Sequence, residues 1–173
     1  MNFNIKTKRL LFYWVSSFII ATVMYYLLWL IMPSHRVFGS YYRMLMYQSA
    51  FPFQYIAIPC FFYGILATLF TGKFKKSSMK GRILITILIV LLTILLSSPF
   101  GGMLWHYHDM KFGYFPEHWI SKMISNGFFM GIEMGWIIIL LSFPYNIFGS
   151  IVCYFLIKKG TEVFRNKKKL FYK

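Results

Sequence analysis

The residue types that could support chemistry are concentrated in one stretch of this 173-residue chain, which holds three of its four histidines and three of its four acidic residues. These residues are His106, His108, Asp109, Glu117, His118 and Glu133. In an extended segment His106 and His108 would point the same way, whereas in a helix His106 and Asp109 would share a face. Imidazole nitrogens and carboxylate oxygens are typical ligands of zinc and similar cations. The stretch therefore predicts a candidate metal or acid–base site, with all six residues as catalytic candidates and His106, His108 and His118 as candidate metal ligands.

Two other interpretations of this stretch stay open. The sequence contains no His-Glu-x-x-His helix, no Gly-x-Ser-x-Gly turn and no phosphate-binding glycine loop, so the cluster matches no motif of known specificity. Trp105 and Tyr107 alternate with the histidines, and such side chains form belts at membrane interfaces, with an apolar body in lipid and a polar tip in water. The cluster could also be a surface for a partner protein. We predict no bound cofactor.

Glu133 raises a separate question, because an ionisable residue within a membrane segment is by default a candidate functional site. In the hydrocarbon core it would suggest a proton or cation relay. If Lys158 marks the inner boundary, about 20 helical residues counted back along the chain place the outer boundary near Ile138. We therefore expect Glu133 near the lipid headgroups, where a carboxylate costs little.

A stripe of small residues, Gly127, Gly131 and Gly135, runs beside this carboxylate at intervals of four. Such a stripe lets two helix backbones approach closely and predicts a helix-packing surface. At about 100° per residue, Glu133 is about 200° from Gly131 and points away from the stripe. The partner of the stripe is either a helix of the same chain or another membrane protein.

The composition predicts that this chain folds in a lipid bilayer rather than in water. Hydrophobic residues make up 58% of the sequence and charged residues only 13%, which is far from the usual balance of soluble domains. The apolar residues form long runs that are bounded by basic residues, and runs of about 20 residues are long enough to cross a bilayer as helices. We predict one all-α integral membrane domain over residues 1–173, with four spans at approximately 10–32, 51–72, 83–102 and 134–157.

The last apolar stretch requires a bend. Residues 124–157 comprise 34 positions, which would rise about 51 Å in a straight helix and exceed one perpendicular crossing. Pro144 is the expected kink. The intervening segments are predicted to be outer loops over 33–50 and 103–133, a cytoplasmic loop over 73–82 and a cytoplasmic tail over 158–173.

The basic residues predict the orientation of these spans. Fifteen of the 19 lysines and arginines fall at the amino terminus, between the second and third spans, or in the tail. Cytoplasmic segments retain positive charge, so both ends are predicted to be cytoplasmic, in a four-helix bundle built as two hairpins. The same segments are expected near anionic lipid. A nucleic-acid partner is rejected, because the basic residues flank apolar runs and no recognition module accompanies them.

Three hypotheses for the function follow. The first is a non-enzymatic accessory, immunity-type or carrier-associated membrane protein. The second is a membrane-embedded enzyme that uses the histidine and acid cluster on the outer face. The third is a small proton- or ion-coupled carrier that uses Glu133. Richness in Lys, Ile, Phe and Asn with little Ala suggests an AT-rich bacterial genome, and hence a bacterial plasma membrane.

Overall fold

The computed structural model describes residues 4–31, 51–114, 120–141 and 145–170. Of these residues 95% are helical, and none of them forms a strand. In chain order the helices are α1 (Ile5–Ile31), α2 (Pro52–Lys76), α3 (Met79–Lys111), α4 (Ile120–Leu141) and α5 (Tyr145–Leu170). Three segments of the described chain are long and apolar enough to cross a membrane: Ile5–Leu27, Pro52–Lys76 and Met79–Lys111. The prediction of an all-helical membrane protein is confirmed.

Helices α1 and α2 pack closely along their length. A Cβ atom on Gly64 of α2 would lie 3.1 Å from Cβ of Trp14 and 3.3 Å from the carbonyl oxygen of Leu10, both on α1. Farther along the pair, Tyr25 of α1 is buried in a cluster with Ile56 of α2. Because Gly64 has no side chain, the two backbones can approach each other at this point.

A short turn joins α2 to α3. Arg82 secures this turn, since its Nε donates hydrogen bonds to the carbonyl oxygens of Phe74 at 3.2 Å and Ser77 at 3.0 Å. These carbonyls are at or just beyond the carboxyl end of α2, where helices leave acceptors without intrahelical partners. Ser78 caps α3 by accepting a hydrogen bond from the Gly81 amide. The segment 73–82, expected as a loop, is thus mostly helical.

The segment expected as an outer loop over 103–133 is also largely helical. Helix α3 continues to Lys111, and α4 begins at Ile120. The boundaries of the apolar run marked where the hydropathy falls, but a helix can extend past that point because its hydrogen bonds are internal. The other expected outer loop, 33–50, is outside the described residues.

The described residues of the last apolar stretch belong to two helices, and the predicted span over 134–157, with its kink at Pro144, stays a prediction. Helix α4 ends at Leu141 and α5 begins at Tyr145. Asn146 bridges the break, because its Nδ2 donates a 2.8 Å hydrogen bond to the carbonyl oxygen of Ile139 in the last turn of α4. Pro144, the expected kink, is outside the described residues.

Helix α5 returns to the first three helices and completes their core. The buried residues of this core come from α1, α2, α3 and α5; they are Tyr13, Tyr63, Leu66, Ala67, Phe74, Ile89 and Ile157. Helix α4 packs mainly on α3. The fold therefore consists of the α1–α2 and α3–α4 pairs, joined by α2–α3 contacts and by α5.

Candidate functional site

His108 belongs to an aromatic cluster at the end of the bundle opposite the α2–α3 turn. Its side chain is 1% exposed, and its Nδ1 shares a 3.0 Å hydrogen bond with the hydroxyl group of Tyr55 on α2. The Phe51 ring stacks on the imidazole at a centroid distance of 4.5 Å. Lys111 Nζ lies 5.4 Å from the centroid of the same Phe51 ring. His108 therefore connects α3 to α2.

His106 lies on a different side of α3. It is also buried, and a Cβ atom on Gly127 of α4 would lie 3.1 Å from His106 Cδ2. Because residues 106–109 are helical, two positions separated by two are about 200° apart around the axis. The extended alternative, in which His106 and His108 point the same way, is not the one adopted. Helix α3 therefore directs one imidazole toward α4 and the other toward α2.

This arrangement bears on the predicted metal or acid–base site. Within residues 4–31, 51–114, 120–141 and 145–170, no three histidine, cysteine or acidic side chains come together as a metal site would require. Asp109 is partly exposed beside the two histidines. Glu117 and His118, the remaining members of the predicted cluster, are outside the described residues. Of the two described histidines, His106 contacts α4 and His108 contacts α2.

The hydrogen bond between Tyr55 and His108 can be tested by removing one hydroxyl group. We expect Tyr55→Phe to lower the free energy of unfolding by about 1–3 kcal/mol, because a buried imidazole nitrogen loses its partner. The measurement is thermal unfolding of the purified protein in detergent. Tyr114→Phe is the matched control, since Tyr114 is 68% exposed. Equal stability of the two variants would show that the bond contributes nothing.

The glycine stripe of α4 packs directly on the α3 backbone. A Cβ atom on Gly131 would overlap the backbone of Ser98 and Pro99, and one on Gly135 would lie 2.8 Å from Ser98 Oγ. At the other end of the stripe, a Cβ on Gly127 would lie 2.9 Å from Met103 Cα. The stripe therefore contacts a helix of the same chain.

The α3 half of this contact was not singled out from the sequence, although its signal is visible. Ser98 and Gly102 are four residues apart, and these two small residues let the α3 backbone approach Gly131 and Gly127. A Cβ on Gly102 would overlap the backbone of both glycines. Two small-residue stripes in consecutive apolar segments are the pattern that could have paired these helices in advance.

Glu133 lies on the opposite side of α4 from the stripe. It is exposed, whereas the three glycines of the stripe are buried. Since Gly131 and Gly135 both lie close to Ser98, Glu133 is at about the height of Ser98 along the bundle. The expected position near the headgroups, which rests on a count of about 20 residues back from Lys158, stays a prediction.

Apolar side chains surround Glu133 on this outward face. Phe129 is 64% exposed and Trp136 is 59% exposed, one helical turn before and after the carboxylate. Ile137 and Leu140 continue the exposed face. This surface of α4, formed by Phe129, Glu133, Trp136, Ile137 and Leu140, is called the outer α4 face below.

Two buried tyrosines, Tyr13 and Tyr63, lie in the core where α5 packs, and the sequence analysis did not predict their role. The Tyr13 hydroxyl group hydrogen-bonds to Thr71 Oγ1 at 3.2 Å and donates to the carbonyl oxygen of Ile157 at 3.4 Å. Tyr63 likewise donates to the carbonyl oxygen of Cys153 at 3.2 Å. Two tyrosines thus bind the α5 backbone, which hydropathy could not reveal because tyrosine in an apolar run also fits an interfacial belt.

Comparison with known proteins adds no relative. No family model, curated protein or solved structure matches this chain.

Proposed function

We propose that this protein is a non-enzymatic accessory subunit of an assembly in a bacterial plasma membrane, and that it binds a second membrane protein through the outer α4 face. The proposal includes four crossings with both ends in the cytoplasm, the fourth made by α4 together with the start of α5. The observation that carries it is the exposed carboxylate of Glu133 within an apolar helix face.

The height of Glu133 supports the proposal. Ser98 follows Arg82 by 16 residues of α3, which corresponds to a rise of about 24 Å. If Arg82 marks the cytoplasmic boundary of a hydrocarbon core about 30 Å thick, a group level with Ser98 is inside that core. A carboxylate facing lipid at this depth is costly, and such residues usually pair with a group of opposite charge.

The chemistry of the partner follows from this requirement. A membrane helix that carries a lysine or arginine at the same depth would neutralise Glu133 and cover its apolar neighbours. The three glycines on the other side of α4 leave the outer α4 face free, since they hold the helix against α3.

The two alternative functions have less support from the geometry. A carrier pathway within one chain would need Glu133 to face the interior, whereas its side chain is on the exposed side of α4. An enzyme site that combines His106 with His108 would need the two rings to converge, whereas they face different helices.

Site-specific photocrosslinking in native membranes tests the proposed function. With a photoreactive residue in place of Trp136, we expect a discrete adduct with one membrane protein. Its yield should fall about ten-fold or more in Glu133→Ala, because a hydrogen bond to a charged group contributes about 1.5–3 kcal/mol. Glu162→Ala is the control, since Glu162 is an exposed carboxylate on α5 and should leave the yield unchanged.

The position of the crosslinker provides a second control. Leu84 of α3 is 69% exposed, and a photoreactive residue there should give no adduct that depends on Glu133. The proposal would be refuted if position 136 formed adducts with lipid only. It would also be refuted if a protein adduct formed with the same yield in Glu133→Ala as in the native chain. An adduct of twice the chain mass would identify the partner as a second copy and refute the basic partner helix.

A further inference from the structure

A groove lies between α1 and α2 near the end of the bundle that carries the α2–α3 turn. Its volume is about 210 Å³, and it is lined by Lys6, Thr7, Leu10, Ile65, Thr68 and Leu69. This is the volume of about seven water molecules at about 30 Å³ each, so it suits a short length of hydrocarbon chain rather than a folded partner.

The groove begins where the tight contact between the two helices ends. At Gly64 the backbones of α1 and α2 are close, with a hypothetical Cβ only 3.2 Å from the Trp14 nitrogen. Two turns later, a Cβ on Gly72 would meet no heavy atom within 4 Å. Leu69, between them, is 70% exposed. The groove is therefore open to the surroundings of the bundle, which are lipid.

The accessible surface of the groove is mostly apolar. Leu10, Ile65 and Leu69 contribute hydrocarbon. Thr68 does not add a free hydroxyl group, because its Oγ1 donates a 2.7 Å hydrogen bond to the carbonyl oxygen of Gly64 in its own helix. These surfaces suit an alkyl chain.

The basic end of the groove suits an anion. Lys6 lines the groove from the first turn of α1. On α2, positions 65, 69, 72 and 76 recur at three- and four-residue intervals, so Lys76 lies on the same helix face as the groove. Both lysines are exposed at this end. An alkyl chain in the groove would thus have its polar head near two ammonium groups.

We propose that this groove is a binding site for an anionic glycerophospholipid. One acyl chain lies over Leu10, Ile65 and Leu69, and the headgroup phosphate binds Lys6 and Lys76. The site is distinct from the outer α4 face, and it does not depend on the proposed accessory function.

Native mass spectrometry of the detergent-purified chain with added phosphatidylglycerol tests the site. We expect the Lys6→Gln/Lys76→Gln double variant to bind it about 25-fold more weakly, at about five-fold for each lysine near a phosphate. The control double variant, Lys80→Gln/Lys159→Gln, removes the same charge from exposed positions outside the groove and should bind as the native chain does. Phosphatidylcholine with the same acyl chains should bind the native chain at least ten-fold more weakly than phosphatidylglycerol.

A variant beside the groove tests the acyl chain separately from the charges. Gly72 follows the groove-lining residues Ile65 and Leu69 on the same face of α2. A Cβ there meets no heavy atom within 4 Å, so in Gly72→Leu the fold should persist while a side chain beside Leu69 weakens lipid binding. Gly149→Leu is the matched control, because a Cβ at Gly149 also meets nothing within 4 Å. Thermal unfolding of both variants establishes that they are folded.

Several outcomes would overturn the proposal. Equal lipid binding by the Lys6/Lys76 and Lys80/Lys159 double variants would show that only net charge matters. Unchanged binding in Gly72→Leu would show that no acyl chain enters the groove. Complete displacement of the lipid by inorganic phosphate would identify a plain anion site.

Discussion

Replacing Gly131 with leucine is expected to separate α4 from α3 and to lower the free energy of unfolding by about 3 kcal/mol. The new Cβ would overlap backbone atoms of Ser98 and Pro99, which cannot move aside as a flexible side chain can. Overpacking of a tight contact costs about 1–3 kcal/mol, and more where backbone must shift. The better helix propensity of leucine returns only about 1 kcal/mol, so the steric cost decides the sign. Thermal unfolding in detergent, followed by circular dichroism, measures the change.

Gly101→Leu is the control for this experiment. A Cβ on Gly101 meets no heavy atom within 4 Å, although its neighbour Gly102 is in the centre of the α3–α4 contact. We expect Gly101→Leu to be neutral or slightly stabilising. A finer pair, Gly101→Ala against Gly102→Ala, should show the same contrast with a single methyl group. If Gly131→Leu unfolds at the same temperature as Gly101→Leu, the close packing of α3 and α4 is wrong.

Tyr13→Ala is expected to have the second large effect, by releasing α5 from the first three helices. Tyr13 is fully buried, and its ring lies against Gly160 while its hydroxyl group bonds to the Ile157 carbonyl. Truncation of a buried aromatic side chain costs about 3–5 kcal/mol. Tyr13→Phe keeps the ring and removes only the hydroxyl group, so it should cost about 1–2 kcal/mol.

The release of α5 can be followed through a natural thiol. Cys153 is on α5, and its carbonyl group accepts the hydrogen bond from Tyr63. In a Cys60→Ala background, we expect maleimide to label Cys153 at least ten-fold faster in Tyr13→Ala than in the native chain. Tyr26→Ala should leave the rate unchanged, because Tyr26 is 46% exposed on α1. Equal labelling rates of Cys153 in Tyr13→Ala and in the native chain would mean that the Tyr13 side chain does not hold α5.

The first three helices could be predicted from the sequence alone, because their signal is local. Apolar runs that are long enough to cross a bilayer identified α1, α2 and α3. Each run favours a helix because lipid offers no hydrogen-bond partners to the backbone. The four-residue glycine spacing likewise indicated the packing side of α4 without any knowledge of what it would contact. These features depend on neighbours within one or two turns.

The ends of the helices were harder to predict. Hydropathy marked the end of the third apolar run near Gly102, yet α3 continues to Lys111 and carries His106 and His108 within its last three turns. That extension determines the directions of the two imidazoles, because a helix separates them where a strand would align them. Helices α4 and α5 likewise share one apolar run, so hydropathy alone did not give the residues at which each helix ends or begins.

Residue types and their short-range spacing were sufficient to predict that this chain folds in lipid, that it is helical and which side of α4 packs. Only the tertiary structure decided that Ser98 covers Gly131, that Tyr13 binds the α5 backbone 144 residues farther along, and that α1 and α2 leave a groove beside Leu69. The physical reason is that an apolar helix surface is compatible with many neighbours. Which neighbour it meets depends on the fit of small side chains and single hydrogen bonds between segments that are distant in the chain.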